Sequence, residues 1–301
     1  GFVVATDDVV RLHFLDWDDP GASASPTRGA LGVLLLHGLA STAWSWTPVA
    51  RRLRRAGRVI AMDLRGHGLS DAPTGGYDRE ALAGDAIAVA EGAGLLALPG
   101  EPPAGPLVLA GIGYGAIVAA WTAHALGDRC AGLVLVDGGW EDLAVSTEAT
   151  PEEWLAEIDE PPEVLASMAA WLADREAFDA ATWDADEERA ARAQVVETAA
   201  GRVKLAVHPH ALAGSVRAMW SYDPAAVLPE VQAPIVALVA RDEDGTHAAT
   251  LRDVAQRRLE EGRSPVLATA FPGRGHNLAR YEPGVVSAAV LAVAAGATMR
   301  P

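Results

Sequence analysis

The chain has 301 residues, half of them hydrophobic, with a formal net charge of −16 and a single cysteine. That length allows one large α/β domain with an insertion or two small domains, and the apolar half is enough for a sizeable core. The charge argues against nucleic acid, which needs a basic stripe, and against anionic membrane surfaces. Cys130 alone permits neither an intramolecular disulfide nor a thiolate metal cluster.

Val9–Trp17 alternates apolar and polar side chains, which predicts an early half-exposed strand. Leu31–Leu36 (LGVLLL) and Arg58–Met62 (RVIAM) read as buried strands, with a helix over Trp44–Arg55 between them. A helix over Arg79–Gly92, a strand over Leu107–Ala110, a helix over Tyr114–Leu126 and a strand over Gly132–Val136 follow. From about Gly139 to Pro229 the alternation stops. That stretch is helix-like, punctuated by proline, and holds five of the nine tryptophans; residues 141–200 carry 17 Asp or Glu against three Arg. Beyond it, buried strands over Ile235–Val239 and Val266–Phe271 alternate with helices over Ala248–Glu261 and Pro283–Ala295. Alternation of this kind predicts an α/β fold, a mostly parallel sheet flanked by helices. Residues 1–138 and 230–301 form its core, and residues 139–229 an inserted helical cap whose acidic side chains face outward.

A parallel sheet gathers its functional loops at the carboxyl ends of its strands. His37–Gly38 follows LGVLLL directly, and its glycine lets the chain turn so that the Leu39 N–H points inward. DLRGHGLSD, from Asp63 to Asp71, reads as a tight structural turn, and Ser70 lies within it rather than at a reactive apex. Gly111-Ile112-Gly113-Tyr114-Gly115 has the spacing of a nucleophile elbow, G-x-S-x-G. Its centre is Gly113, which has no hydroxyl to activate, so a serine ester cannot form there. Asp242, Glu243 and Asp244 follow the strand Ile235–Val239, and His276 follows the last strand in a glycine-loosened loop. Asp137, after GLVLV, is an alternative carboxylate.

Together, the HG strand end, the RGHGLSD turn, the elbow spacing, the late acid and GRGHNLARYEP resemble the α/β-hydrolase superfamily, in its esterase, lactonase and thioesterase group. The resemblance runs from about residue 8 to 290. It implies that His276 is the general base, that Glu243 or Asp242 is its partner, and that Leu39 and Tyr114 supply the oxyanion N–H groups. It further implies hydrolysis of a carboxylic ester, lactone or thioester, with no cofactor and no metal. Haloalkane dehalogenase and epoxide hydrolase chemistry are disfavoured, since both want a carboxylate at position 113. The otherwise complete motif set favours a serine exchanged for Gly113, leaving an inactive chain. The alternative is a natural pseudo-hydrolase that binds a small apolar ligand or works without a serine.

Enriched tryptophan offers wide apolar surfaces, so Trp140, Trp154, Trp171, Trp183 and Trp220 are candidate walls of a substrate pocket or packing residues of the cap, with His208 and His210 as candidate polar additions and His37 beside the pocket, ordering the oxyanion loop. His208 and His210 do not suffice for a zinc site, because no third ligand lies nearby in sequence. Cys130 reads as a small hydrophobe. The first residues lack the basic and apolar regions of a signal peptide, and Val285–Met299 falls short of the roughly 20 residues a membrane span needs. A cytoplasmic monomer or homodimer acting on a small molecule is expected.

Overall fold

The computed structural model describes residues 1–5, 9–17, 30–98, 100, 104–158, 160–240 and 245–298. Leu31–Leu36, with no polar side chain, forms strand β3 at the centre of an eight-stranded sheet. The other strands of that sheet are β1 (Phe2–Ala5), β2 (Val10–Asp16), β4 (Gly57–Met62), β5 (Leu107–Ile112), β6 (Cys130–Val136), β9 (Ile235–Ala240) and β10 (Val266–Phe271). Strands β7 (Val195–Glu197) and β8 (Val203–Leu205) make a separate hairpin. The spatial order is β1-β2-β4-β3-β5-β6-β9-β10; β1 and β2 run antiparallel, and from β4 to β10 every pairing is parallel.

Successive side chains on a strand point to opposite faces, so each buried strand feeds two cores. Leu34, Leu36, Ile60, Met62, Leu109 and Leu135 pack on one side, against helices α2 (Arg79–Gly92) and α3 (Tyr114–Leu126). Val33, Leu35, Val59, Ala61, Val108 and Val134 pack on the other, against α1 (Thr47–Leu53) and α12 (Pro283–Thr298). Helix α10 (Thr246–Glu260) leads to β10. Short α11 (Leu278–Tyr281) precedes α12 and is capped by the Asn277 side chain.

The RGHGLSD turn is built on Asp63. Its carboxylate accepts from the N–H groups of Ala43 and Leu69 and meets His13 Nδ1 at 2.8 Å. Burial alone would raise its pKa; the His13 bond, the nearby His37 and those N–H donors hold it below the usual range. Next to it, Arg65 and Asp85 form a fully buried two-pronged pair, at 2.6 and 2.7 Å.

Between β6 and β9 the chain forms α4 (Leu143–Ser146), α5 (Pro151–Glu157), α6 (Met168–Phe178), α7 (Ala185–Ala193), the β7–β8 hairpin, α8 (Pro209–Trp220) and α9 (Pro224–Val227). Helix α5 begins with a reciprocal capping box between Thr150 and Glu153. Trp171, Val195 and Val203 give this segment a small core of its own. Arg280 of α11 ties it to the sheet domain by donating to Thr182 Oγ1 and the Asp179 carbonyl. Most of its carboxylates face solvent, but Glu187 does not. It sits beside Arg280 at 3.4 Å with only 11 % of its side chain exposed, and burial pushes its pKa up to about 7.

Four features depart from the sequence reading. Phe2–Ala5 adds an edge strand, and Val266–Phe271, read as buried, is a mostly exposed edge strand. The stretch read as wholly helical contains the β7–β8 hairpin, because β-branched VVE and VKL flank a turn in which Gly201 takes a φ of +74°. The helix expected over Trp44–Arg55 starts as a 3₁₀ turn, Ala43–Trp46, and becomes α-helical where Pro48 occupies the first turn.

Candidate active site

The elbow between β5 and α3 is as tight as its glycines permit. A Cβ at Gly111 would stand 2.1 Å from the Gly115 carbonyl oxygen, and one at Gly115 would stand 2.2 Å from that of Leu36. Gly113 sits at the apex with φ 53° and ψ −117°, a conformation that L side chains rarely adopt. Immediately after it, Tyr114 opens α3, where the first backbone N–H groups lack intrahelical acceptors.

His276 projects from the loop after β10 with 64 % of its side chain exposed. Its Nδ1 lies 2.6 Å from Asp137 Oδ2. A carboxylate only accepts, so Nδ1 carries the hydrogen, and in the neutral ring the lone pair is on Nε2. That lone pair faces the elbow: a Cβ built on Gly113 would stand 2.9 Å from Nε2. Asp137 is itself fixed. It directly follows β6 with a φ of +43°, its Oδ1 accepts from the Ala240 N–H at 2.7 Å, and its own N–H donates to the Leu238 carbonyl. The carboxylate that meets the histidine is therefore the alternative one of the sequence reading. Asp242 and Glu243 lie outside the described residues.

A cavity of about 390 Å³ opens over this arrangement. Leu39, Gly113, Tyr114, Asp137 and His276 line it, Ile112, Ile117, Leu143, Trp154 and Met219 supply apolar surface, and Ser41, Ser45, Glu141, Gln194 and Asn277 add polar groups. A second cavity of about 320 Å³ shares Leu39, Trp154 and Gln194 with it and is bordered by Trp171 and Arg175.

Of the residues expected to bind substrate, only Trp154 lines the cavity beside Gly113, and the others lie elsewhere. His37 is fully buried beneath the loop that follows β3. Its Nδ1 donates to the Gly38 carbonyl at 2.7 Å and its Nε2 accepts from the Leu64 N–H at 3.0 Å. Burial lowers its pKa, so the neutral ring orders the loop, as its place after the strand suggests, and does not line the cavity. Trp140 is buried under α10 with its indole N–H on His247 Nδ1. Trp171 donates to the Ala191 carbonyl at 2.8 Å and fills the small core with Val195 and Val203 of the hairpin. Trp220 packs edge-on against Trp154 at 5.6 Å and supports it from outside the cavity. Trp183 sits by Arg280, 6.0 Å from the guanidinium. His210 is exposed, with Nε2 on the Ala72 carbonyl. Ile117, Leu143, Gln194 and Met219 were not anticipated; only Ile117, one turn along α3 from Tyr114, had a spacing that signals its place.

Among the described residues, no group of three or more His, Cys, Asp or Glu side chains could hold a metal ion, and no helix is long and apolar enough to cross a membrane.

Comparison with known proteins follows the same lines. Epoxide hydrolase 4 of Mus musculus is 38 % identical over 72 residues, a match spanning 24 % of this chain and only 18 % of that protein. Among solved structures, E-2-(acetamidomethylene)succinate hydrolase superposes with a TM-score of 0.69 at 19 % identity, over 97 % of both chains. The thioesterase domain from the curacin biosynthetic pathway does so with a TM-score of 0.69 at 18 % identity, over 97 % of this chain and 98 % of that one. At such identities the likeness is one of fold. A sequence model described as the alpha/beta hydrolase family matches residues 33–289. The chain belongs to the alpha/beta hydrolase family.

Proposed function

We infer that this is the site of a serine-type hydrolase for a carboxylic ester, lactone or thioester, held here in a form without its nucleophile. The observation that carries the reading is the alignment of three parts. Asp137 fixes the His276 tautomer, and Nε2 aims its lone pair at the place where a side chain on residue 113 would begin. In the serine form, residue 113 attacks the substrate carbonyl while Nε2 takes its proton. The N–H groups of Leu39 and Tyr114 hold the oxyanion, and the leaving group recovers the proton. Water then repeats the sequence on the acyl-enzyme. The apolar walls of the cavity suit a largely apolar acyl group. A thioesterase among the similar structures fits this bond class, whereas the absence of any carboxylate at position 113 speaks against epoxide opening through an alkyl-enzyme ester.

The test is Gly113→Ser, assayed on a panel of p-nitrophenyl esters, thioesters and lactones. Turnover should rise by orders of magnitude over the parent, whose catalysis lacks a nucleophile. A serine variant no faster than the parent on every member of the panel would refute the reading.

A further inference from the structure

We propose that the chain with Gly113 is a general-base enoliser: His276 removes a proton from the carbon next to a carbonyl group, in apolar thioesters and aryl ketones, while the carbonyl oxygen rests on the Leu39 and Tyr114 N–H groups. The proposal shares its oxyanion assignment with the hydrolase reading but needs no residue at 113 to react.

The argument is one of geometry. In acyl transfer, a single atom, the serine oxygen, stands between the proton taken by the base and the carbonyl carbon. In enolisation a single atom stands there too, the substrate α-carbon. A site built for the first arrangement therefore suits the second once the protein's own atoms are removed. Gly113 removes them: nothing of residue 113 occupies the space facing Nε2, where a Cβ would come within 2.9 Å. Real Cβ atoms essentially never approach a neighbour so closely. A side chain at 113 would need the exposed His276 ring to shift slightly; with glycine there, the space facing Nε2 is open to a substrate carbon that could deliver its proton. Asp137 keeps the hydrogen on Nδ1, leaves Nε2 free to accept, and lies against the ring to balance the imidazolium that forms.

The electron count closes without any co-reactant. The Nε2 lone pair takes the α-proton, and the C–H pair becomes the carbon–carbon double bond of the enolate. The carbonyl π pair moves onto oxygen, which the two N–H groups stabilise. Return of a proton from Nε2 to the α-carbon regenerates the keto form, and nothing is oxidised or reduced. Imidazole is a base of modest strength, so the substrates must be acidified at the α-carbon, by sulfur on the carbonyl or by an aryl group. Both additions are apolar and match the Ile117, Leu143, Trp154 and Met219 walls.

S-Ethyl phenylthioacetate reports both chemistries at once in D₂O. Deuterium entering the methylene group of recovered thioester, read by proton NMR, marks enolisation, and free thiol marks hydrolysis. The parent chain should exchange at least tenfold faster than buffer, and His276→Ala and His276→Gln should both fall to the buffer rate. His276 is mostly solvent-exposed, so both variants should keep the parent's melting temperature. Asp137→Asn should slow exchange while leaving the apparent affinity for the probe unchanged. Gly113→Ser should lose exchange as it gains thiol release. Exchange no faster than buffer at saturating probe, with aryl ketones equally inert, would overturn the proposal. So would thiol release by the parent without exchange, which would mean that the base serves water. A Gly113→Ser variant that releases no thiol would count against the hydrolase reading and leave exchange by the parent standing.

Discussion

Asp137→Asn, made in the Gly113→Ser background, probes the relay from acid to base. Asp137 uses both carboxylate oxygens, Oδ2 at 2.6 Å from His276 Nδ1 and Oδ1 accepting from the Ala240 N–H at 2.7 Å. An asparagine has one oxygen to offer. If that oxygen stays on the Ala240 N–H, the amide NH₂ faces Nδ1 and can only donate. His276 must then move its hydrogen to Nε2, where it cannot accept a proton from a nucleophile. A tautomer error of this kind in a comparable triad costs about 10⁴-fold in turnover, roughly 5.5 kcal/mol of barrier. Folding should suffer less: one charge-assisted hydrogen bond becomes a neutral one, worth about 1–2 kcal/mol, or a few degrees in Tm for a chain of this size. Steady-state hydrolysis of a p-nitrophenyl ester should therefore show kcat reduced about 10⁴-fold with KM little changed. Turnover within tenfold of the Gly113→Ser parent, with Asp242→Asn or Glu243→Gln abolishing it instead, would refute the assignment of Asp137.

Arg65→Met deprives the buried Asp85 carboxylate of its guanidinium, and thermal unfolding should show a loss of about 3–5 kcal/mol; a change below about 1 kcal/mol would contradict the pairing. Glu187 has a folded pKa raised to about 7 by burial, so the native state binds the extra proton and stability should fall as pH rises from about 5 to beyond 7. Glu187→Gln should flatten that slope in melting temperatures taken across the range, and an unchanged slope would remove Glu187 as its cause. Trp154→Ala strips an aromatic wall from the cavity and should weaken binding of S-ethyl phenylthioacetate about tenfold or more by calorimetry, whereas Trp183→Ala, outside the cavity, should not.

The scaffold was legible wherever one short segment decides its own fate. Leu31–Leu36 and Val266–Phe271 read as strands because runs of apolar and β-branched residues stop at His37–Gly38 and Pro272–Gly273, and the structure ends them at the same residues. Val266–Phe271 is nevertheless an edge strand, mostly exposed, and not the buried strand its composition suggests. The elbow was legible because glycine spacing alone fixes a strand-to-helix turn. The partner of His276 was not, since a carboxylate after a strand carries no spacing signal of its own. Its role arises from tertiary register: β6 and β9 pair in parallel with Val136 opposite Leu238, which brings Asp137 beside Ala240 and under the histidine loop. Which tryptophan reaches the cavity was not legible for a related reason. Composition said that this segment was aromatic, but which indole faces the cavity depends on which N–H groups find acceptors elsewhere, as those of Trp140 and Trp171 do. The hairpin was hidden by the alanine-rich helices on either side of it.

The central claim is that position 113 faces a working base and lacks only a nucleophile. Intact-protein mass spectrometry after brief exposure to p-nitrophenyl acetate or a fluorophosphonate tests it directly. Gly113→Ser should gain one acyl or phosphonyl group, mapped by peptide analysis to residue 113, and should lose that labelling when His276 is also replaced by alanine. The parent and Gly113→Ala should gain none under the same conditions. An unlabelled Gly113→Ser chain, or a parent labelled as fast at some other residue, would contradict it.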